Sequence, residues 1–209
     1  MQLKMNIKLQ MILLLLVVTL FTAAVTSTFA LQRLQAMSLA RSEAAFIGET
    51  KLMATEMTSV LHGLENDSYI LIETPPFQGI INAHRNGGYD LAGNSTLDQW
   101  RGRLEEIFVS AMQQRPYYTQ MRFISDADSG QELVRVNQNS LGIHVSERDL
   151  LQPKHKEYYY RETQDLAPDT LYLSPITLNR EFGVITPDRT PTVRSVMTVL
   201  DETGKRFGL

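Results

Sequence analysis

The sequence predicts an α+β fold in which an N-terminal transmembrane helix continues into a long helix and precedes an antiparallel sheet. An uncharged, largely apolar run covers residues 9–32, and the chain then continues without proline to residue 74. From residue 117 onward, short strand-like runs alternate with turns. Helices that come before antiparallel hairpins are typical of the α+β class.

The apolar run is long enough to cross a membrane. It follows Lys4 and Lys8, and roughly 20 apolar helical residues span a hydrocarbon core of about 30 Å. A signal-peptide core has only about 7–15 residues, so a retained anchor over residues 9–31 is favoured over a cleaved signal peptide. The positive-inside rule keeps residues 1–8 in the cytoplasm. In a bacterium, the rest of the chain then lies in the periplasm, attached to the inner membrane.

Composition argues against several classes of function. The net charge is −3 with both signs interspersed, whereas a nucleic-acid-binding surface needs clustered Lys and Arg. The absence of cysteine excludes disulfides and thiolate metal sites. The four histidines lack metal-ligand spacing, and no GxSxG, Walker or GxGxxG pattern occurs. We therefore expect no catalytic residue, metal, cofactor or nucleic-acid partner in this chain.

The remaining residues are organised as a long helix followed by one module. Residues 32–74 are predicted to form a long periplasmic helix that Pro75 and Pro76 terminate, and residues 75–209 form the module. Its predicted helices cover residues 77–84 and the segment after the cap candidates Asn94, Ser95 and Thr96. Its predicted strands cover residues 117–125, 132–137, 171–178, 192–201 and the segment from Arg206. Residues 139–168 are expected to be irregular, with a short helix near 146–151, and residues 179–181 to be a solvated hairpin loop.

Several segments of the module carry a family resemblance. They are PPFQGIINAHRNGG, LDQWRGRLEEIF, PYYTQMRFISDADSGQELVRVN, LQPKHKEYYYRE and LYLSPITLNREFGVITPDRTPTVRSVMTVLDETGKRFGL. Together with the order of elements, they resemble the PAS-like Cache modules of bacterial transmembrane receptors. The similarity is to the membrane-distal half of a double-Cache sensor domain. Such sensors serve histidine kinases, diguanylate cyclases and chemoreceptors.

The resemblance implies a five-stranded antiparallel sheet in the spatial order 2-1-5-4-3. The strand that begins at Arg206 is then the central fifth strand, and it is cut off at Leu209. On this interpretation the chain is an N-terminal fragment that lacks a membrane-proximal module, a second span and a cytoplasmic output domain. The full receptor is expected to be a homodimer.

The resemblance also implies a ligand between the sheet and the segment that joins strands two and three. Lys156, Tyr158 and Tyr159 stand where the amino-acid-binding branch of these sensors has Arg, Trp and Tyr. Tyr172 and Ser174 stand at its Tyr and Asp positions. Lysine can hold a carboxylate as a point charge, but serine cannot balance an ammonium group. The departures argue against an amino-acid ligand and leave a small carboxylate or another anion open.

Two strand arginines, Arg122 and Arg194, complete the candidate ligand-binding residues. An arginine beside apolar neighbours on a strand is costly unless it is paired. It can therefore hold a ligand anion or form a structural ion pair. The acidic candidates for such a pair are Glu132, Glu157 and Glu181. In the same way, the aromatic residues 158–160 can line a cavity or simply pack their segment on the sheet.

The sequence therefore predicts the signal-sensing part of a bacterial transmembrane receptor, of the histidine kinase or diguanylate cyclase type, that binds a small ligand in a PAS-like pocket. The alternative is a membrane-anchored periplasmic interaction or dimerisation module without a small ligand. An exposed aromatic patch at residues 158–160 favours that alternative. An inward-facing Lys156 or Arg194 favours ligand sensing.

Overall fold

The computed structural model describes residues 6–127, 129–168 and 170–209. Lys4 and most of the predicted cytoplasmic segment lie outside these residues. The chain divides into two compact units, a first one up to Val60 and a second one from Leu61 to Leu209.

The first helix, α1 (Ile7–Ile72), continues without a break from the apolar run into the second unit. Its interior threonines are tolerated in an apolar segment because their hydroxyls donate to carbonyls of the preceding turn, as Thr22 does to Val18 at 3.0 Å and Thr26 to Thr22 at 2.8 Å. In the described part of the chain, α1 is the one helix whose length and composition suffice to cross a membrane.

Two further helices follow local signals in the sequence. Helix α2 (Pro75–Arg85) begins with proline, whose missing N–H would be unpaired there in any case. A small ladder of β1 (Tyr89–Asp90) and β2 (Ser95–Thr96) then leads into α3 (Leu97–Gln114). Thr96 and Gln99 form a capping box at the start of α3, each side chain accepting from the other residue's backbone N–H.

The main sheet begins with three antiparallel strands, which are β3 (Gln120–Ile124), β4 (Glu132–Asn139) and β5 (Gly142–Val145). The remaining strands are short, namely β6 (Tyr172–Leu173), β7 (Thr177–Leu178), β8 (Arg180–Glu181), β9 (Val184–Ile185), β10 (Pro191–Thr192), β11 (Ser195–Val196), β12 (Val199–Leu200) and β13 (Arg206–Gly208). Strand β13 pairs with β12 and lies beside the end of β3, where Ile124 and Leu209 exchange two backbone hydrogen bonds of 2.9 and 2.8 Å. Strands β11 and β10 pair with β6 and β7.

These pairings confirm the order 2-1-5-4-3 expected from the resemblance, with β5 added outside the second strand. The apolar core lies between α2, α3 and one face of this sheet. Phe77 of α2 meets Phe123 of β3 edge to face, with ring centroids 4.7 Å apart. Leu64, Leu71 and Ile72 at the end of α1 pack against the same core.

Some expectations for the irregular segment were wrong. Residues 139–168 contain strand β5 and a short helix, α4 (Tyr158–Glu162), and the helix expected near 146–151 is a single 3-10 turn, Arg148–Leu150. The strand expected over residues 171–178 is interrupted between β6 and β7, where Pro175 has no N–H to donate to a ladder.

Candidate ligand-binding site

Two arginines lie directly opposite each other on the face of the sheet that points away from the apolar core. In the β3–β4 ladder Arg122 pairs with Arg135, whereas the neighbouring pair, Phe123 and Val134, belongs to the core on the other face. Like charges opposed across a ladder destabilise a sheet. These two arginines therefore need anions close by.

The anions are supplied by Glu132 and Glu181. Each carboxylate lies within 4 Å of Arg122, Arg135 and Lys154, at distances from 2.5 to 3.6 Å. Three cations thus surround two carboxylates, and no third carboxylate of the described residues is within that distance. We call these five side chains the ionic cluster. It carries one excess positive charge.

Glu132 is the fully buried carboxylate of the ionic cluster. Its Oε2 accepts hydrogen bonds from Arg135 Nη1 at 3.1 Å and from the Gln152 backbone N–H at 3.0 Å. Its Oε1 lies 3.1 Å from Arg122 Nη1 and 3.6 Å from Lys154 Nζ, but neither contact has hydrogen-bond geometry. Oε1 therefore interacts with these cations through charge alone.

Lys154 is positioned in the cluster by backbone pairing. The backbone N–H of Lys154 donates to Gly130 at 2.8 Å, and Pro153 bridges Gln131. Residues two apart on an extended segment share a face, so Gln152 and Lys154 point inward together, and Lys154 Nζ donates to Gln152 Oε1 at 3.1 Å. Burial, with Arg122 nearby, lowers the pKa of Lys154.

A second cationic position lies beside the first and is centred on Arg194. Its guanidinium lies over the rings of Tyr158 and Tyr159, 5.8 and 5.6 Å from their centroids. Its Nη1 donates to Thr177 Oγ1 at 2.7 Å and to the Tyr158 hydroxyl at 3.3 Å. In the described ranges, no carboxylate lies within 4 Å of Arg194. We call Arg194 and these neighbours the arginine–tyrosine site.

Tyr159 connects the two positions. Its hydroxyl accepts from Arg122 Nη1 at 3.2 Å, while its ring lies beneath Arg194. Burial raises the pKa of Tyr159 to about 12, so the hydroxyl is neutral under ordinary conditions. For Tyr158, burial raises the pKa, but hydrogen bonds with Ser174 and Thr177 and the charge of Arg194 outweigh this and lower it overall.

The structure brings together most of the residues that the sequence singled out. Tyr158, Tyr159 and Arg194 are adjacent, Arg122 contacts Tyr159, and the Ser174 hydroxyl oxygen accepts from the Arg194 backbone N–H at 2.9 Å. The Ser174 side chain therefore positions the segment between β10 and β11 that carries Arg194.

Two predicted residues lie elsewhere. Lys156 is exposed and, among the described residues, has no hydrogen bond or ion pair, whereas Lys154 is the buried lysine of this segment. The Tyr172 hydroxyl donates to Glu162 and makes no hydrogen bond to Arg194 in the described part of the chain. The expectation of a solvated loop at residues 179–181 was wrong for Glu181, because the three cations of the ionic cluster attract its carboxylate inward.

Sequence comparison assigns the module to a family. The model of the sensor domain of bacterial histidine kinases matches residues 89–209, which is more than half of the chain. The chain belongs to the family of bacterial histidine kinase sensor domains. No curated protein matches it in sequence.

Two solved structures share the fold of this sensor domain. One is a domain of a sensory box/GGDEF family protein from Vibrio parahaemolyticus, with a TM-score of 0.60 and 21% identity over 73% of this chain and 52% of that chain. The other is the extracellular domain of the histidine kinase vpHK1S-Z8. It also has a TM-score of 0.60 and 21% identity, over 73% of this chain and 50% of that chain. The present chain thus spans about half the length of these solved chains.

Proposed function

We propose that this sensor domain is the extracytoplasmic part of a bacterial transmembrane receptor, of the histidine kinase or diguanylate cyclase type, and that it binds a small anion at the arginine–tyrosine site. The observation that carries this proposal is Arg194, a half-buried residue whose guanidinium lies over two tyrosine rings and has no carboxylate partner among the described residues. Removing a charge from water is costly unless it is paired. An anionic ligand would compensate that cost.

The chemistry of the site favours a planar anion such as a carboxylate. A guanidinium presents N–H donors in a planar fork that matches two carboxylate oxygens. The hydroxyls of Tyr158 and Thr177 lie within hydrogen-bond distance of Arg194 Nη1 and of each other. They can rotate to donate to a bound oxygen. The tyrosine rings supply apolar walls for the rest of a small ligand.

The buried tyrosines make the alternative, a pure interaction module, less favourable. Tyr159 and Tyr160 are buried and Tyr158 is half-buried, so residues 158–160 do not form the exposed aromatic patch that would favour this alternative. The homodimer of the full receptor remains a prediction from the resemblance.

The proposed location follows from the family and from α1. The apolar run that follows Lys4 and Lys8, within a helix long enough to cross a membrane, supports an anchor in the inner membrane, with the module in the periplasm. The extracellular domain named for one structural neighbour supports the same side of the membrane. The boundaries 1–8, 9–31, 32–74 and 75–209 remain the proposed division into cytoplasmic end, span, long helix and module.

Signal transfer would begin at the contact between the start of β11, next to Arg194, and the end of α1. Ser195 follows Arg194, and its hydroxyl lies 3.3 Å from that of Ser68 on α1. The neighbouring Asp67 accepts from Arg115 Nε at 2.9 Å and from the Tyr118 hydroxyl at 2.7 Å, which holds this turn of α1 on the module. A ligand would shift the balance between two packings of this contact by its difference in affinity for them.

The test is thermal unfolding of the full chain in detergent micelles, followed by the fluorescence of its single tryptophan, Trp100. Formate, acetate, succinate, phosphate and sulfate are compared with chloride at equal ionic strength. A bound anion at one hundred times its Kd should stabilise the folded state by about 2.7 kcal/mol. Arg194→Gln should abolish the shift, and Arg161→Gln, which alters an exposed arginine on α4, should retain it. No shift with any anion, or an equal shift in Arg194→Gln, would contradict the proposal.

A further inference from the structure

The ionic cluster already holds a carboxylate in a shell of fixed donors. Glu181 Oε1 accepts from Arg122 Nη2 at 2.5 Å and from Gln120 Nε2 at 3.0 Å. Its Oε2 accepts from Gln152 Nε2 at 2.9 Å and from Arg135 Nη1 at 3.3 Å, with Lys154 Nζ at 3.6 Å. Both oxygens are thus bonded by side chains from two strands and the segment at residue 152.

These donors are held in place independently of Glu181. Buried Glu132 pairs with Arg122 and Arg135, and Arg135 Nε also donates to Ser146 Oγ at 2.8 Å. The Gln152 backbone is bonded to Glu132 as well. Without Glu181, the same shell would remain around a space of carboxylate size, with an excess of two positive charges.

The element that carries Glu181 is attached to the module mainly by polar contacts. Strands β8 and β9 pair only with each other in the described chain, and Phe182 and Val184 are 67% and 68% exposed. The hairpin turn holds Phe182 at φ +52 and Gly183 at φ +76, a conformation that is unfavourable for phenylalanine. Besides the Glu181 carboxylate, the turn is bonded through the Phe182 N–H, which donates to Gln152 Oε1 at 2.9 Å.

We infer that the ionic cluster is a carboxylate-binding subsite in which Glu181 occupies the place of a ligand carboxylate, and that a carboxylate-bearing small molecule binds there by displacing Glu181 and its hairpin. The exchange leaves the charge of the cluster unchanged, because one carboxylate replaces another. This inference deepens the proposed function and rests on it for the role of the subsite, which adjoins the arginine–tyrosine site across Tyr159.

The experiment removes the internal carboxylate and supplies an external one. In the full chain in detergent, Glu181→Gln should lower the unfolding midpoint in sodium chloride. Sodium acetate at equal ionic strength should restore it in a saturable manner, with an apparent Kd at least tenfold lower than for the wild type. The matched control is Glu162→Gln, because Glu162 lies on α4 outside the cluster and bonds Tyr172. Acetate should affect this control no more than it affects the wild type.

A second variant covers the case in which Glu181→Gln does not fold. Glu181→Asp keeps the charge but withdraws the carboxylate by one methylene group, so it should bind acetate with an affinity between those of the wild type and Glu181→Gln. Acetate affinity equal to that of the wild type in Glu181→Asp, or in a folded Glu181→Gln, would overturn the inference.

The double variant Glu181→Gln/Arg194→Gln separates this inference from the proposed function. Acetate should still restore the unfolding midpoint of this double variant, because acetate would bind beside Arg122, in the place of the missing Glu181 carboxylate. Loss of the acetate effect in the double variant would assign the bound acetate to Arg194 and overturn the subsite. If Arg194-dependent binding exists in the wild type but Glu181→Gln gains nothing from acetate, only the subsite fails. If acetate restores Glu181→Gln but no anion stabilises the wild type, only the proposed function fails.

Discussion

Replacing Glu132 by glutamine should destabilise the module strongly, because Glu132 neutralises charge where water has no access. The side chain is completely buried, and it contacts Arg122, Arg135 and Lys154 at 3.1, 3.1 and 3.6 Å. Glutamine has nearly the same shape, but it leaves three cations with Glu181 as their single carboxylate. Removing one partner of a buried ion pair costs about 3–5 kcal/mol. This is a large fraction of the 5–15 kcal/mol that typically stabilises a domain.

The assay is urea unfolding of the full chain in detergent, followed by Trp100 fluorescence, because far-ultraviolet circular dichroism would be dominated by α1. A double-mutant cycle with Lys154→Met supplies the control. The double variant removes one cation and one anion, so the cluster returns to one excess positive charge. It should recover most of the stability that Glu132→Gln loses. A loss below about 1 kcal/mol in Glu132→Gln, or additive losses in the cycle, would refute the reasoning.

Three other predictions concern the acid stability, the helix packing and the core. Burial raises the pKa of Glu181, but Arg122 and hydrogen bonds outweigh this and hold it below its usual value. The free energy of unfolding should therefore stay level above about pH 4.3, the ordinary pKa of glutamic acid, and fall as the pH drops through the folded-state pKa. Glu181→Gln should flatten this decline in urea titrations, and an unchanged slope would contradict the assignment. Gly79→Ala should cost at least about 1–3 kcal/mol, because a Cβ there would overlap the tryptophan ring of α3. Gly102→Ala should stabilise α3 by about 0.5–1 kcal/mol, because the added Cβ meets no neighbouring group of the described residues within 4 Å. Equal urea midpoints for the two variants would count against the close packing of α2 on α3 at Gly79. Phe123→Ala should lower the free energy of unfolding by about 3–5 kcal/mol, because Phe123 is fully buried. Phe182→Ala, at an exposed position, should change it by less than about 0.5 kcal/mol. Similar losses in the two variants would be inconsistent with a core built around Phe123.

The parts of the fold that local signals determine could be predicted from the sequence. The long helix ends at Ile72, just before the two prolines, and α3 begins directly after the cap residue Thr96. Strands β3 and β4 lie within or close to the expected runs. In each case the deciding residues are close together in the chain, because caps, prolines and alternating patterns act over a few positions.

The parts that depend on distant partners could not be predicted. Strand β5 has only four residues, and its pairing with β4 determines its structure. The family resemblance pointed to Lys156, and no local pattern indicated that Lys154 is the buried lysine. The choice follows from the backbone hydrogen bonds of Gln152 and Lys154 to Glu132 and Gly130, on either side of the bridge between Pro153 and Gln131. After this pairing the alternation ends, so Lys156 lies in solvent.

The inward position of Glu181 has the same kind of cause. A charged residue next to a hairpin turn is solvated by default, and nothing adjacent to it in the sequence indicates otherwise. Only the folded sheet places Arg122 and Arg135 opposite each other and creates the positive field that attracts the carboxylate. The sequence therefore predicted a candidate site made of arginines and tyrosines. It did not determine which of the acidic residues Glu132, Glu157 and Glu181 pair with the arginines.

The measurement that tests the central claim most directly is calorimetric titration of the full chain in detergent with the anion that gives the largest thermal shift. We expect one bound anion per chain. Arg194→Gln should raise the Kd at least tenfold, which corresponds to a loss of about 1.4 kcal/mol, and Arg161→Gln should leave it unchanged. A titration without saturable heat, or the same Kd in Arg194→Gln as in the wild type, would contradict an anion sensor built around Arg194.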